Sequence, residues 1–163
     1  MYTLQELSDR AEISDVLTSY ATGVAHRYVD LLVSLFTETA VLDYYGHDRI
    51  EGSGQIRDLF TGKLAHHPEP EHASGPLDAR LISTPVVTNI VIELDGDSAR
   101  SDSYALAIHA GPRGDERLVL ARGTRNRDEL VRTATGWRIA HRVHELLWSF
   151  ETPGAYPPPS PPT

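Results

Sequence analysis

The segment Leu81–Ala110, LISTPVVTNIVIELDGDSARSDSYALAIHA, determines the class of fold. Its first part, Leu81–Leu94, is rich in Val, Ile and Thr, the residue types that favour β-strands. Asp95-Gly96-Asp97 then supplies a tight polar turn, and the β-type pattern resumes over Ala99–Ala110. The segment therefore predicts two long antiparallel strands joined by a hairpin.

Two more strands follow this hairpin and helices precede it. Downstream, turns at Gly111–Asp115 and Ala134–Gly136 delimit predicted strands over Arg117–Thr133 and Trp137–Phe150. Upstream, apolar residues recur at three- and four-residue spacings. The predicted elements there are a helix from Leu4 to Val24, with Thr3 and Glu6 as its capping box, a short helix over Asp30–Phe36, a short strand over Ala40–Tyr45, and a helix from about Gly54 to His66.

The order of these elements, with the helices first and the antiparallel strands afterwards, predicts an α+β fold. Three helices packed on the concave face of a strongly curved sheet would enclose an apolar pocket. We predict one domain over residues 1–152 and an extended tail over 153–163, because five of the last seven residues are proline.

Composition excludes several classes of site. The 163 residues contain no cysteine, which excludes disulfides, thiolate zinc sites, iron–sulfur clusters and a cysteine nucleophile. The formal net charge of -8 disfavours nucleic-acid binding. No apolar stretch is long enough to span a bilayer and no basic or apolar leader precedes the first helix, so we expect a cytoplasmic protein without a membrane partner.

Five stretches carry a resemblance to a known family: residues 7–20, 32–44, 88–97, 128–133 and 136–139. In this order and spacing they resemble the SnoaL-like branch of the NTF2-like superfamily. The resemblance implies an NTF2-like α+β cone, often dimeric through its sheet, and the family includes polyketide cyclases, scytalone dehydratase, ketosteroid isomerase and limonene epoxide hydrolase. It implies the fold more strongly than the reaction, because function depends on the residues of the site.

When the site residues of the family are transferred position by position, this chain keeps only part of the usual site. Dehydratase-like members place a Tyr-Asp pair at the end of the first helix, where this chain has Val24 and Ala25. They place a histidine where this chain has Pro85, and a tyrosine where it has Asn126. The matches that remain are a second histidine, His109, and a pocket tyrosine, Tyr44. The usual Asp–His dyad is therefore absent.

His109 and Tyr44 are the predicted catalytic residues. Residues alternate faces along a strand, so His109 shares a face with Ala105 and Ala107, whose small side chains leave room for a ligand. A histidine titrates near neutral pH and suits proton transfer. Tyr44 and Tyr45 should point to opposite sides, and the resemblance favours Tyr44 as the hydrogen-bond donor to a developing oxyanion. Asp43 is expected to be turned outward.

Further substrate-binding candidates surround this pair. Val24 and Asn89 follow from the resemblance, Tyr20 lies one helical turn before Val24, His26 is a candidate replacement base, and Asn126 is a polar pocket group. His141 and His144 should face opposite sides of the last strand. We interpret them as sheet-surface or dimer contacts, with an aromatic pocket edge formed by His144 and Trp148 as the alternative.

Two other kinds of site are disfavoured. His66, His67 and His72 match no standard metal-ligand spacing, so we predict no metal site. Arg100, Asp102 and Arg122 raise the alternative of an epoxide hydrolase, which needs two carboxylates and an arginine. Arg100 and Asp102 share the face opposite His109, however, and are better explained as a salt-bridged outer face.

The favoured function is a cofactor-independent enzyme of the cyclase, dehydratase or isomerase type that acts on a small hydrophobic, polyketide- or terpenoid-like substrate. No glycine-rich phosphate loop indicates an organic cofactor. The competing hypotheses are a protein that binds a hydrophobic ligand without turnover and an assembly subunit that uses the sheet face and the tail. We expect a homodimer.

Overall fold

The computed structural model describes residues 1–65, 82–113 and 116–154. The fold is α+β, with helices packed on a curved, open, mostly antiparallel sheet, as predicted. The elements are, in chain order, α1 (Leu4–His26), α2 (Val29–Ser34), β1 (Phe36–Tyr44), β2 (Ile50–Glu51), α3 (Gly52–Ala65), β3 (Ile82–Asp95), β4 (Ser98–Arg113), β5 (Glu116–Thr133) and β6 (Gly136–Pro153).

Helix α1 begins and ends on clear local signals. The predicted capping box is present: the Thr3 hydroxyl accepts from the Glu6 amide at 3.1 Å, and the Glu6 carboxylate accepts from the Thr3 amide at 2.6 Å. The helix ends at Arg27, which adopts a left-handed φ of 60°. Gly23 lies within the last turns of this helix. A Cβ there would lie 2.7 Å from Cγ of Leu32, so glycine allows α2 to pack closely against α1.

The sheet contains two features that the sequence did not predict. Its strand order is β2-β1-β6-β5-β4-β3. The last four strands form the expected antiparallel meander, but β1 pairs in parallel with β6. The two-residue strand β2 extends the other edge of β1. Strand β1 also begins at Phe36, in the region predicted as the end of the second helix.

Bulges in β3 and β6 change which face successive side chains occupy. In β6, Ala140 and Leu147 are extra residues, because the register shifts between Glu129 and Leu130 and again between Gly123 and Thr124. In β3, the register shifts between Thr88 and Val91, and Asn89 there has a φ of 52°. Simple alternation therefore fails along β3 and β6.

The hydrophobic core lies between the helices and the inner face of the sheet, the face that α1 and α3 cover. Fully buried Ile13 and Leu17 of α1 pack against Leu130 and Ile139 of the sheet, with Trp137 at the edge of the cluster. This packing occupies one end of the inner face. At the other end the helices and the sheet diverge and leave a cavity.

The described residues do not include the whole predicted tail. Strand β6 continues to Pro153, and the Gly154 amide donates to the Arg117 carbonyl at 2.8 Å. Residues 155–163 and the predicted loop with His66, His67 and His72 lie outside the described residues. Among the residues that are described, no helix combines the length and apolar character needed to cross a bilayer.

Candidate active site

The cavity lies between α1, α3 and the inner face of strands β3 to β6. The empty space between its walls is about 890 Å³ when the solvent at its open mouth is counted. Its apolar wall comes from Leu17, Ala21, Val24, Phe60, Pro85, Val87, Ala105 and Ala107. Its polar groups belong to Tyr20, Tyr44, Tyr45, Ser103, His109, Arg122, Thr124, Asn126, Arg142 and His144.

Strand pairing arranges most of the polar groups in rows across the sheet. Ser103 pairs with Asn126, Asn126 with His144, and His144 with Tyr44, so four strands contribute to one row. We call this the aromatic row. A parallel row, four residues along β5, consists of Pro85, Ala107 and Arg122.

The aromatic row holds His144 in a defined orientation. Its ring stacks on Tyr44 with centroids 4.3 Å apart, and Nδ1 donates to Oδ1 of Asn126 at 2.6 Å. Because the amide oxygen can only accept, the proton of this hydrogen bond sits on Nδ1. Tyr45 also stacks against His144, at 5.6 Å.

Tyr44 is a hydrogen-bond donor at every physiological pH. Burial raises the pKa of its phenol well above the ordinary value, and neighbouring Tyr20 and Tyr45 add to the rise. The positive charges of Arg122 and Arg142 oppose the rise without cancelling it. The phenol therefore stays protonated and can donate to an oxygen that gains negative charge.

His109 lies on the cavity wall at the β4–β5 pair. It is 3% exposed, and Ala105 and Ala107 precede it on the same face, as predicted. His109 pairs with Leu120 and Ala107 pairs with Arg122, which makes His109 and Arg122 diagonal neighbours on the inner face. One wall of the cavity therefore carries an imidazole and a guanidinium side by side.

Arg122 is 7% exposed and lines the cavity. Among residues 1–65, 82–113 and 116–154, none accepts a hydrogen bond from its Nε or forms an ion pair with its guanidinium. A buried arginine ordinarily has a carboxylate or carbonyl partner, since removal of a charge from water is costly.

Arg142 behaves in the opposite way. Its Nε and Nη2 donate to the two oxygens of Asp128 at 2.6 and 2.9 Å, and its guanidinium lies 4.1 Å from the centre of the Tyr20 ring. Burial alone would lower the pKa of Arg142, but the carboxylate of Asp128 more than offsets this and holds the pKa above its usual value. Ser101 also donates to Asp128, at 3.2 Å. Arg142 therefore lines the cavity as half of a charge-neutral ion pair, and only its buried Nη1 lacks an acceptor among the described residues.

Most predicted site residues meet at this cavity. The catalytic candidates His109 and Tyr44 both line it. So do the substrate-binding candidates Tyr20, Val24, Ala105, Ala107 and Asn126. Their roles stay predictions, while their common location is a structural fact.

Three predicted substrate-binding residues lie elsewhere. His26 is exposed, stacks on Tyr28 at 5.4 Å and borders a separate groove between α1 and β3. Asn89 lies at the β3 bulge and is exposed toward the outer face. Trp148 covers Gly123 on the outer face, because the extra residue Leu147 reverses the alternation after His144. The expectation that Trp148 and His144 share a face is therefore wrong.

The surface interpretation of His144 is also wrong, whereas that of His141 holds. His144 is buried in the cavity, while His141 contacts Asp43 on the outer face, with Nε2 2.7 Å from Oδ2. Tyr45 lines the cavity together with Tyr44, because β1 ends at Tyr44 and alternation no longer applies.

Sequence reasoning missed Arg122, Thr124 and Arg142 as cavity residues, and it placed His144 at the pocket only as the alternative to a surface contact. A signal for two of them was available: Arg122 and Thr124 share the parity of Asn126 on an unbroken stretch of β5. No comparable signal existed for β6, where the two bulges and the parallel partner β1 set the inner face.

The epoxide hydrolase alternative needs two carboxylates in the cavity, and the described residues supply neither. Asp102 pairs with Arg125 on the outer face, as the salt-bridge interpretation predicted. No Asp or Glu lines the cavity within the described part of the chain, and Asp128 beneath it is committed to Arg142. Nor do the described residues bring three His, Asp or Glu side chains together as a metal site.

Comparison with known proteins agrees with this architecture. The family model of the SnoaL-like domain matches residues 5–143. Uncharacterized proteins of Mycobacterium tuberculosis and Mycobacterium bovis are 32% identical over 146 residues, which cover 88% of this chain and 88% of theirs.

Solved structures show the same fold at lower identity. The type 2 hexachlorocyclohexane dehydrochlorinase LinA superposes with a TM-score of 0.74 at 19% identity, covering 96% of this chain and 97% of that one. A candidate scytalone dehydratase from Novosphingobium aromaticivorans gives 0.70 at 17% identity, with 88% and 87% covered. The match of the family model over residues 5–143 makes the chain a member of the SnoaL-like domain family, within the NTF2-like fold.

Proposed function

We propose that the protein is a cofactor-independent enzyme that carries out lyase, isomerase or cyclase chemistry on a small, largely hydrophobic molecule. The observation that carries the proposal is the convergence of His109, His144 and Tyr44 on one apolar cavity. A few polar groups that meet inside an otherwise apolar pocket are the usual form of an active site.

His109 is proposed as the general acid or base. It is buried on a strand, which holds its ring in place better than a loop would, and two alanines leave space in front of it. Imidazole exchanges protons near neutral pH without help from a metal.

The aromatic row is proposed to stabilise the oxyanion that forms when a proton leaves a carbon next to a carbonyl. Tyr44 remains protonated because burial raises its pKa, so it can donate to that oxygen. Asn126 fixes the ring of His144 through the 2.6 Å hydrogen bond, and His144 in turn stacks on Tyr44. The row is thereby organised before substrate binds, which lowers the cost of charge stabilisation.

The apolar wall is proposed to select a polyketide- or terpenoid-like substrate of natural-product biosynthesis and to hold it folded. Cyclisation of a reactive polyene or enone needs little beyond such a conformation. The dehydratase and dehydrochlorinase names of structural neighbours are compatible with chemistry of this type on this fold.

The alternative is a protein that binds a hydrophobic ligand without turning it over. Ala25 and Pro85, which stand at the usual positions of the Asp–His dyad, favour it. Pro85 lines the cavity, and Ala25 borders the neighbouring groove beside His26. The site therefore lacks the base that dehydratase-like relatives are expected to use.

The test is turnover of small polyketide- and terpenoid-like enones and polyenes, followed by product analysis from pH 5 to 9. His109→Ala should lower turnover by about 10²–10⁴-fold with little change in binding, and Tyr44→Phe by on the order of 10-fold. Turnover should vary with pH across the neutral range, where imidazole titrates. His141→Ala is the matched control, because this histidine lies on the outer face.

Two results would contradict acid–base catalysis. A flat pH profile together with a fully active His109→Ala protein would mean that the pocket accelerates the reaction only by holding the substrate in a reactive conformation. Tryptophan fluorescence that reports binding, without any product, would support the ligand-binding alternative.

We also propose that two copies associate through the outer face of the sheet. Trp148 and Phe150 stack there with centroids 6.0 Å apart and are 47% and 55% exposed. Strand pairing places Leu106 and Ile108 in the same rows. Light scattering at micromolar concentration should show a dimer, and Phe150→Glu should shift it toward the monomer; a monomeric wild-type protein would refute the proposal.

A further inference from the structure

The cavity holds a buried positive charge that the fold itself does not use. Arg122 projects from the inner face of β5 and is 7% exposed. Within the described ranges, its Nε lacks an acceptor and its guanidinium lacks an ion pair. Arg142 also lines the cavity, but Asp128 already neutralises it through two hydrogen bonds.

A buried guanidinium without an ion-pair partner is less favourable than a paired one, because it gives up part of its hydration without the compensation of a carboxylate. An anion that enters the cavity would supply that compensation. The cavity lining of the described residues contains no Asp or Glu that could serve, so the anion must come with the ligand.

We propose that Arg122 binds the carboxylate of the substrate, which makes the substrate a hydrophobic carboxylic acid. A guanidinium presents parallel N–H groups that match the two oxygens of a carboxylate. Ala105 and Ala107 leave space beside Arg122 for the apolar body of the molecule. This inference rests on the proposed function, since it names the substrate class of the same cavity.

The position of Arg122 also orients the substrate. His109 is its diagonal neighbour, so a carboxylate held on Arg122 places the adjoining carbons beside the proposed acid or base. The aromatic row lies two rows further along the inner face, beyond Thr124. A carbonyl further along the molecule would therefore reach Tyr44.

Equilibrium binding tests this without any need for turnover. The probes are three acids and their neutral amides, matched in shape: cinnamate and cinnamamide, 2-naphthylacetate and its amide, and 4-phenylbutyrate and its amide. Calorimetry should show the wild-type protein binding the acids about 10- to 100-fold more tightly than the amides, since hydrogen bonds to a buried charge carry this much discrimination.

Arg122→Met should abolish the preference by weakening the acids while leaving the amides unchanged or slightly tighter. It should also raise the melting temperature of the unliganded protein, because it replaces an unpaired buried charge with an apolar side chain of similar length. Arg127→Met is the matched control: it makes the same substitution on the same strand, but its side chain is exposed on the outer face and pairs with Glu145. This control should retain the acid preference.

The outcomes separate the two proposals. Equal affinity for acids and amides in the wild-type protein, or no binding of any acid, overturns the carboxylate assignment whether or not Arg122→Met folds. Retention of the preference in Arg122→Met also overturns it. If the protein prefers acids but turns over no substrate, Arg122 still binds a carboxylate and the proposed enzymatic function is refuted. If Arg122→Met turns over a neutral substrate at an undiminished rate, the enzymatic function stands and the carboxylate assignment is refuted.

Discussion

The two faces of the sheet use the same pair of residue types for different purposes. On the inner face, Arg142 and Asp128 are 1% and 0% exposed in their side chains. On the outer face, Arg125 and Asp102 form a similar two-pronged pair but are 36% and 35% exposed. Asp128 lies on β5 and Asp102 on β4, and both pairs join neighbouring strands.

The difference in water access decides what each pair contributes. The outer pair gives up hydration in return for contacts within the protein, so its net contribution to stability is small. In the inner pair each ion depends on the other, because neither can recover its lost hydration. Arg122 lies on the same inner face, has no ion-pair partner among the described residues, and is proposed to receive its compensating charge from a ligand.

Loss of the inner carboxylate should produce the largest effect. Asp128→Asn preserves shape but leaves the charge of Arg142 buried without compensation, so it should reduce the free energy of unfolding by about 3–5 kcal/mol. Urea denaturation followed by circular dichroism measures this. Activity should fall as well, since Arg142 lies on the floor of the cavity.

Asp102→Asn is the matched control on the outer face. Because its partner Arg125 remains hydrated, the loss should be about 0–1 kcal/mol. Equal losses for Asp128→Asn and Asp102→Asn would show that the face of the sheet does not govern the strength of these pairs.

A smaller loss of stability, with a characteristic pH dependence, is expected from removing the charge of Asp9. Arg132 donates to both oxygens of Asp9, at 2.7 and 2.6 Å, and the Trp137 indole donates at 3.2 Å. The hydrogen bonds from Arg132 lower the pKa of Asp9 to about 2, whereas an unfolded chain has about 3.9. The folded state therefore favours the ionised form, and the resulting stability is complete above about pH 4 and lost as the pH falls toward 2.

Asp9→Asn should accordingly lower the melting temperature by several degrees at pH 7, and the gap to the wild-type protein should close between pH 4 and pH 2. Thermal melts in a pH series measure both values. A gap that stays constant down to pH 2 would show that Asp9 acts through packing rather than through its charge.

Local patterns in the sequence were sufficient to predict the main helices and strands and part of the cavity lining. Alternation on β4 is regular, and it correctly placed Ala105, Ala107 and His109 on one face. The capping box at Thr3 and Glu6 likewise depends on residues three apart and was predicted correctly. Where the bulge at Leu147 interrupts β6, alternation assigned Trp148 to the wrong face.

The sequence by itself determined the α+β class, the hairpin at Asp95–Asp97, the family and the position of His109, because these depend on short-range periodicity and on stretches that keep their order. Only the tertiary structure decided that β1 pairs in parallel with β6 and brings Tyr44 onto His144. It also decided that Arg142 finds Asp128 while Arg122 finds no partner among the described residues. Ion pairing and burial depend on residues far apart in the chain, and no local pattern specifies which of two arginines on one inner face receives the carboxylate.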